Sequence, residues 1–82
     1  SDAVKSFKSS RFTEAKNILE YLYNNYKNIS SNFNAMNLLG NVSYKLGDYE
    51  DALRYWEEAY ALEQDNKVLL HNINVVKKQL GL

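Results

Sequence analysis

The sequence contains no cysteine and no proline. The first absence excludes disulfide staples, a thiolate metal site and a cysteine nucleophile, and it leaves the redox compartment unmarked. The second removes the strongest helix breaker from all 82 residues. Net charge is missing too, because the Lys plus Arg count of 10 equals the Asp plus Glu count of 10. That balance shows no footprint for nucleic acid and no polybasic signal for an anionic membrane. No apolar run approaches the roughly 20 residues that span a bilayer, so no direct membrane insertion by this segment is expected. The opening "SDAVKSFKSS" has no apolar core of a signal peptide. It also lacks an initiating Met, so the chain is expected to be an excised fragment or a processed product.

What remains is globular in composition. Hydrophobic residues make up 45% and aromatics 13% of the chain, too many for a disordered segment. At this length one small domain is the default, burying roughly 60–65% of the surface its unfolded chain would expose. Apolar residues recur at steps of three and four throughout, the period of a helix face. Ala15, Ile18, Leu19, Leu22, Tyr23 and Tyr26 form one stripe; Ala35, Leu39, Val42 and Leu46 form a second, with Met36 beside them. Ala52, Leu53, Trp56, Ala59 and Tyr60 make a third, and Leu69, Ile73, Val76 and Leu80 a fourth. A short helix over residues 2–8, with Ala3, Val4 and Phe7, brings the expected number to five, with no strands.

The boundaries between the stripes carry helix-ending chemistry. Gly47 is placed just past a helix C-terminus, where a left-handed backbone suits glycine. Asp48 is then expected to cap the next helix, with Asp51 three residues on in the manner of a capping box. Ser30, Ser31 or Asn32 offers a cap before Phe33, and Asp65 or Asn66 before Lys67. Gly40 sits inside an apolar helical run, where glycine costs about 1 kcal/mol against alanine. Close packing of a neighbouring helix is the expected compensation.

The chain also repeats itself. A shift of 37 residues lays Ser10 on Gly47, Phe12 on Tyr49, Ala15 on Ala52, Leu19 on Trp56 and Leu22 on Ala59. A shift of 34 lays Ala35 on Leu69, Leu39 on Ile73, Val42 on Val76, Leu46 on Leu80 and Gly47 on Gly81. With Leu39-Gly40, Gly47-x-Tyr49, Ala52, Trp56, Ala59 and Leu62, the stretch "LLGNVSYKLGDYEDALRYWEEAYALEQDN" resembles a tetratricopeptide repeat. "SSRFTEAKNILEYL" resembles the second half of another, with Ser10 at a usual glycine, and "KVLLHNINVVKKQLGL" resembles a first or capping helix. Gln64 stands at a frequent proline, Ser43 at a usual aromatic and Asn74 at the first glycine. The resemblance implies an all-α fold in which antiparallel helix pairs stack as a right-handed solenoid. Residues 11–29 would be the second half of a repeat, 33–66 a complete repeat and 67–82 a first or capping helix, within a single domain over 1–82.

Signs of catalysis are absent: His71 is the sole histidine, and no Gly-rich phosphate loop or metal-spaced cluster occurs. Glu57 and Glu58, adjacent on a helix, point about 100° apart and do not converge. No enzyme activity and no cofactor is expected. The tyrosines Tyr21, Tyr23 and Tyr26 share one segment and read as packing or as a contact surface. If the resemblance holds, the first helix of each pair lines a concave groove that takes a protein or peptide ligand. Asn34, Asn37, Asn41, Tyr44 and Lys45 lie off the packing stripe there, joined by His71, Asn72, Val75 and Lys78 from the last segment and Val4 and Lys8 from the first. Asn37 and Asn41 are one turn apart and offer amide donors and acceptors to a peptide backbone. The family's clamp for a C-terminal carboxylate is matched at Asn41 and Asn72, while its basic places hold Asn37 and Val68. The expected function is a protein–protein interaction scaffold. The alternatives are a self-assembly module stacking through its terminal half repeats as a homo-oligomer, and a non-catalytic regulatory domain of a larger protein.

Overall fold

Two helices of the chain begin and end by the same backbone chemistry. The computed structural model describes the backbone of residues 2–82 and the side chains from Ser10 onward. Helix α2 (Phe33–Lys45) and helix α4 (Lys67–Gln79) are each 13 residues long. Each opens on an asparagine whose side-chain oxygen accepts from a backbone N–H three residues on, Asn32 from Ala35 and Asn66 from Leu69, both at 3.0 Å. Each closes on a glycine in the left-handed region, Gly47 at φ 80° and Gly81 at φ 75°. Around Gly47 the amides of Gly47 and Asp48 donate to Tyr44 and Ser43; around Gly81 those of Gly81 and Leu82 donate to Lys78 and Lys77. These are Schellman closures, and they satisfy carbonyls that a helix end otherwise leaves open.

The other two helices are α1 (Asp2–Asn25) and α3 (Tyr49–Leu62), with a short 3-10 segment at Lys27–Ser31 between α1 and α2. Among the described residues there is no strand. The expected separate helix over residues 2–8 does not exist as such: α1 runs unbroken through Asn25, giving four α-helices rather than five. "SFKSSRF" holds neither glycine nor proline, and serine is too mild a breaker to stop a helix. The side chains of Val4 and Lys8, expected at the groove, lie outside the described residues.

Contacts show how the helices run. Tyr44 meets Tyr49, while Gly40 and Asn41 meet Trp56, so α2 and α3 are antiparallel. Lys16 reaches Asp48 and Asp51, Glu20 meets Tyr55 and Tyr23 meets Glu58, so α1 and α3 are parallel. The molecule measures 39 × 31 × 18 Å. Its short dimension is about two helix diameters, consistent with α1 and α3 in one layer and α2 and α4 in the other. The core between them is Met36 and Leu39 from α2, Ala52, Tyr55, Trp56 and Ala59 from α3, and Leu69, Ile73 and Val76 from α4. Leu19 and Tyr23 of α1 pack against it, half-buried.

Gly40 has its compensation. A Cβ built there would lie 2.1 Å from Cδ1 of Trp56, inside the indole ring system. Trp56 is 4% exposed and stacks at a tilt on Tyr44, ring centroids 5.5 Å apart. The matching position on α4, Asn74, is exposed, with no described helix over it.

The seam between α1 and α3 differs from expectation. Asp48 is the N-cap residue of α3 by position but makes no side-chain cap bond. Its carboxylate instead accepts from Lys16 Nζ at 2.8 Å, as does that of Asp51. The expected capping box is therefore not formed, because a buried lysine competes for both acids. Lys16 is only 8% exposed. Burial works to lower its pKa, and the hydrogen bonds to Asp48 and Asp51 outweigh that and leave it raised. Further along, Tyr55 Oη donates to Glu20 at 2.6 Å and Tyr23 Oη to Glu58 at 2.8 Å. Burial, then the bond to Glu20, pushes the Tyr55 phenol well up; the Glu58 bond, then burial, raises Tyr23. The rings of Tyr23 and Tyr55 meet edge to face at 5.6 Å. Two residues expected on the packing stripe of α1, Ile18 and Tyr26, are instead 62% and 55% exposed. Among the described residues helix α1 has neighbours on one side alone, and Tyr26 falls just beyond its end.

Candidate peptide-binding groove

The caps described above set α2 and α4 as equivalent helices, and two clefts open between them. The first, about 420 Å³, is walled by Asn41, Tyr44 and Lys45 of α2, His71, Asn72 and Val75 of α4, and Trp56 of α3. The second, about 350 Å³, continues along the same helices past Phe33, Asn37, Asn41, Asn66, Val68, Leu69 and Asn72. Asn41 and Asn72 belong to both and join them into one groove.

Most of the residues expected at a groove are thus brought together: Asn37, Asn41, Tyr44, Lys45, His71 and Asn72, with Val75. Asn34 and Lys78 line neither cleft, and both are exposed. They lie at opposite ends of their helices, Asn34 in the first turn of α2 and Lys78 in the last turn of α4.

Asn41 carries more than the spacing foretold. Trp56 Nε1 donates to its Oδ1 at 3.1 Å. An indole N–H can only donate, so this bond fixes which way round the amide sits. One lone pair of the oxygen is used, and the NH₂ group is what no described partner engages. Its two N–H donors face no competing partner among the described residues, and the oxygen keeps a second lone pair. The bond also ties the groove wall to the core, since the indole lies over Gly40.

Trp56 is the lining residue that sequence reasoning placed in the core alone. Its indole edge reaches the cleft past a residue without a side chain, on a different helix. No period within α3 could signal that. Asn66, read as a cap, and Phe33, given no role in advance, line the second cleft from the helix starts. Among the described residues no group of three His, Asp or Glu side chains is placed to hold a metal ion. No described helix is long and apolar enough to cross a membrane.

Comparison with known proteins agrees with this architecture at one place. No curated protein and no solved structure matches the chain. Residues 33–66 match the model of the tetratricopeptide repeat family. That span runs from the first residue of α2 to the capping Asn66 of α4, and so contains the pair packed through Gly40 and Trp56. Repeats of this family generally mediate protein–protein interactions, typically without catalysis. Helix α2, its Gly47 turn and helix α3 are the part that this match covers, and over those residues the chain is similar to a tetratricopeptide repeat.

Proposed function

We propose that this chain is an interaction scaffold whose α2–α4 groove binds an extended peptide or a helix of a partner protein. The observation that carries the reading is the convergence of Asn37, Asn41 and Asn72 on adjoining clefts beside the aromatic wall of Tyr44 and Trp56. Side-chain amides suit the N–H and C=O groups of a peptide backbone, and the aromatic wall suits an anchoring side chain. Unlike Asn41, Asn37 and Asn72 make no hydrogen bond that holds the core together, so they can be changed cleanly. Peptides selected from a random display library on the native chain are expected to lose on the order of tenfold or more in affinity with Asn37→Ala plus Asn72→Ala. Titration calorimetry measures the loss, and circular dichroism checks the fold. Unchanged binding on a folded variant would overturn the site.

A second reading, stacking on another copy or on flanking repeats, is favoured by the two ends. Ile18 and Tyr21 are 62% and 61% exposed on the outer side of α1. At the other end Tyr60, Leu70 and Ile73 line an open cleft between α3 and α4. Light scattering tests it: a mass that stays monomeric with rising concentration counts against self-stacking.

A further inference from the structure

The chain's zero net charge conceals a division between its helices. Helices α2 and α4, which form the groove, contain no aspartate or glutamate and carry Lys45, Lys67, Lys77, Lys78 and His71. Helix α3 carries Glu50, Asp51, Glu57 and Glu58 against Arg54 alone. Four of the acids on the α1–α3 side are also engaged there: Asp48 and Asp51 by Lys16, Glu20 by Tyr55, Glu58 by Tyr23. Neither cleft of the groove has a carboxylate in its lining.

The first cleft is therefore rich in donors. Asn41 accepts from Trp56 with one lone pair of its oxygen and keeps both N–H donors of its NH₂ group. Lys45 is exposed at the rim, and no ion pair ties it to any described acid. His71 of α4 lines the same cleft, together with Tyr44, Trp56 and Val75. A cation and amide donors beside an apolar wall complement a carboxylate next to an apolar side chain.

We propose that the ligand of this groove is an acidic extended peptide, with an aliphatic or aromatic residue seated on Tyr44 and Trp56 and a neighbouring Asp or Glu side chain directed to Lys45. This rests on the groove reading above and adds the chemistry of its occupant. Because Lys45 is exposed, its contribution is to selectivity and is weakened by salt.

The test uses the native chain on an array of random peptides blocked at both ends, so that no terminal carboxylate competes. The expected result is enrichment of Asp and Glu beside an apolar residue. Best binders are expected to weaken about threefold to fivefold when their acid is changed to the amide, and by a similar factor with Lys45→Gln. Added salt is expected to shrink both differences. Captured peptides that bind equally well as amides, and still depend on Asn37 and Asn72, would overturn the acidic assignment and leave the groove standing. Binding indifferent to Asn37, Asn72 and Lys45 overturns both. A second copy as occupant would show as a mass that rises with concentration and reverts with Lys45→Glu, and that too overturns the assignment.

Discussion

Helix α3 is held on two sides by different means. Toward α2 the contact is one of volume: a bare glycine backbone, an indole laid over it, and small residues Ala52 and Ala59 letting the axes approach. Toward α1 it is one of register. Tyr55 meets Glu20, Glu58 meets Tyr23 and Asp51 meets Lys16, each across a sequence separation of 35. The first seam lies within the stretch that matches a repeat, and the second joins that stretch to the helix before it. A repeat array needs both, because one helix pair cannot bury its apolar stripe alone and its neighbours must then stack in one fixed phase. Apolar packing gives affinity without strong phase, and matched donors and acceptors supply the phase.

Substitutions can separate the two. Trp56→Ala is expected to have the largest effect, a loss of roughly 3–5 kcal/mol, large beside the whole stability of a small domain. Urea unfolding measures it, and a loss under about 1 kcal/mol would mean that the intra-repeat seam is not held by the indole. Gly40→Ala comes next, at about 1–3 kcal/mol from overpacking against a ring that Asn41 and Tyr44 hold in place. Combined with Trp56→Leu, its cost should shrink, since the two positions share one contact.

On the polar seam the effects are smaller. Tyr55→Phe keeps the ring and removes the bond to Glu20, for about 1 kcal/mol. It should also change the response to alkali. The folded-state pKa values of Tyr55 and Tyr23 lie above the ordinary 10.0, and that of Lys16 above 10.5. The unfolded chain gives up these protons first, so their contribution is present below about pH 10 and is lost as pH rises through the folded values. Unfolding followed from neutral to strongly alkaline pH should show that decline, flatter in Tyr55→Phe. An identical slope in the variant would remove Tyr55 from the account. Smallest is Lys16→Met, expected within about 1 kcal/mol at neutral pH. Its partners Asp48 and Asp51 are 49% and 40% exposed and can turn to water. If register rather than energy is what the lysine supplies, amide exchange in the first turn of α3 should quicken even where global stability holds.

The same contrast decides what could be read in advance. The closure at Gly47, and the caps to within two or three residues of Asn32 and Asn66, were legible because they are local chemistry, and Gly81 falls on Gly47 at a shift of 34. The fit of Gly40 to a neighbour was legible as a cost in need of compensation. Lys16 and Tyr55 were not, because a helix period marks the face toward one neighbour and these residues face another. A lysine is also the least expected side chain to find buried. Ile18 erred in the opposite direction: its period is right and no described helix covers it. At the groove, spacing put Asn37 and Asn41 on one face, but the orientation of the Asn41 amide is decided by an indole fifteen positions away.

That indole is the chain's single tryptophan. Its ring lines the groove while its N–H is bonded to a groove side chain. Whatever enters the cleft therefore changes the polarity and hydrogen bonding around the dominant fluorophore of the molecule. Ligand binding can be followed by the intensity and wavelength of the intrinsic emission, with no label attached.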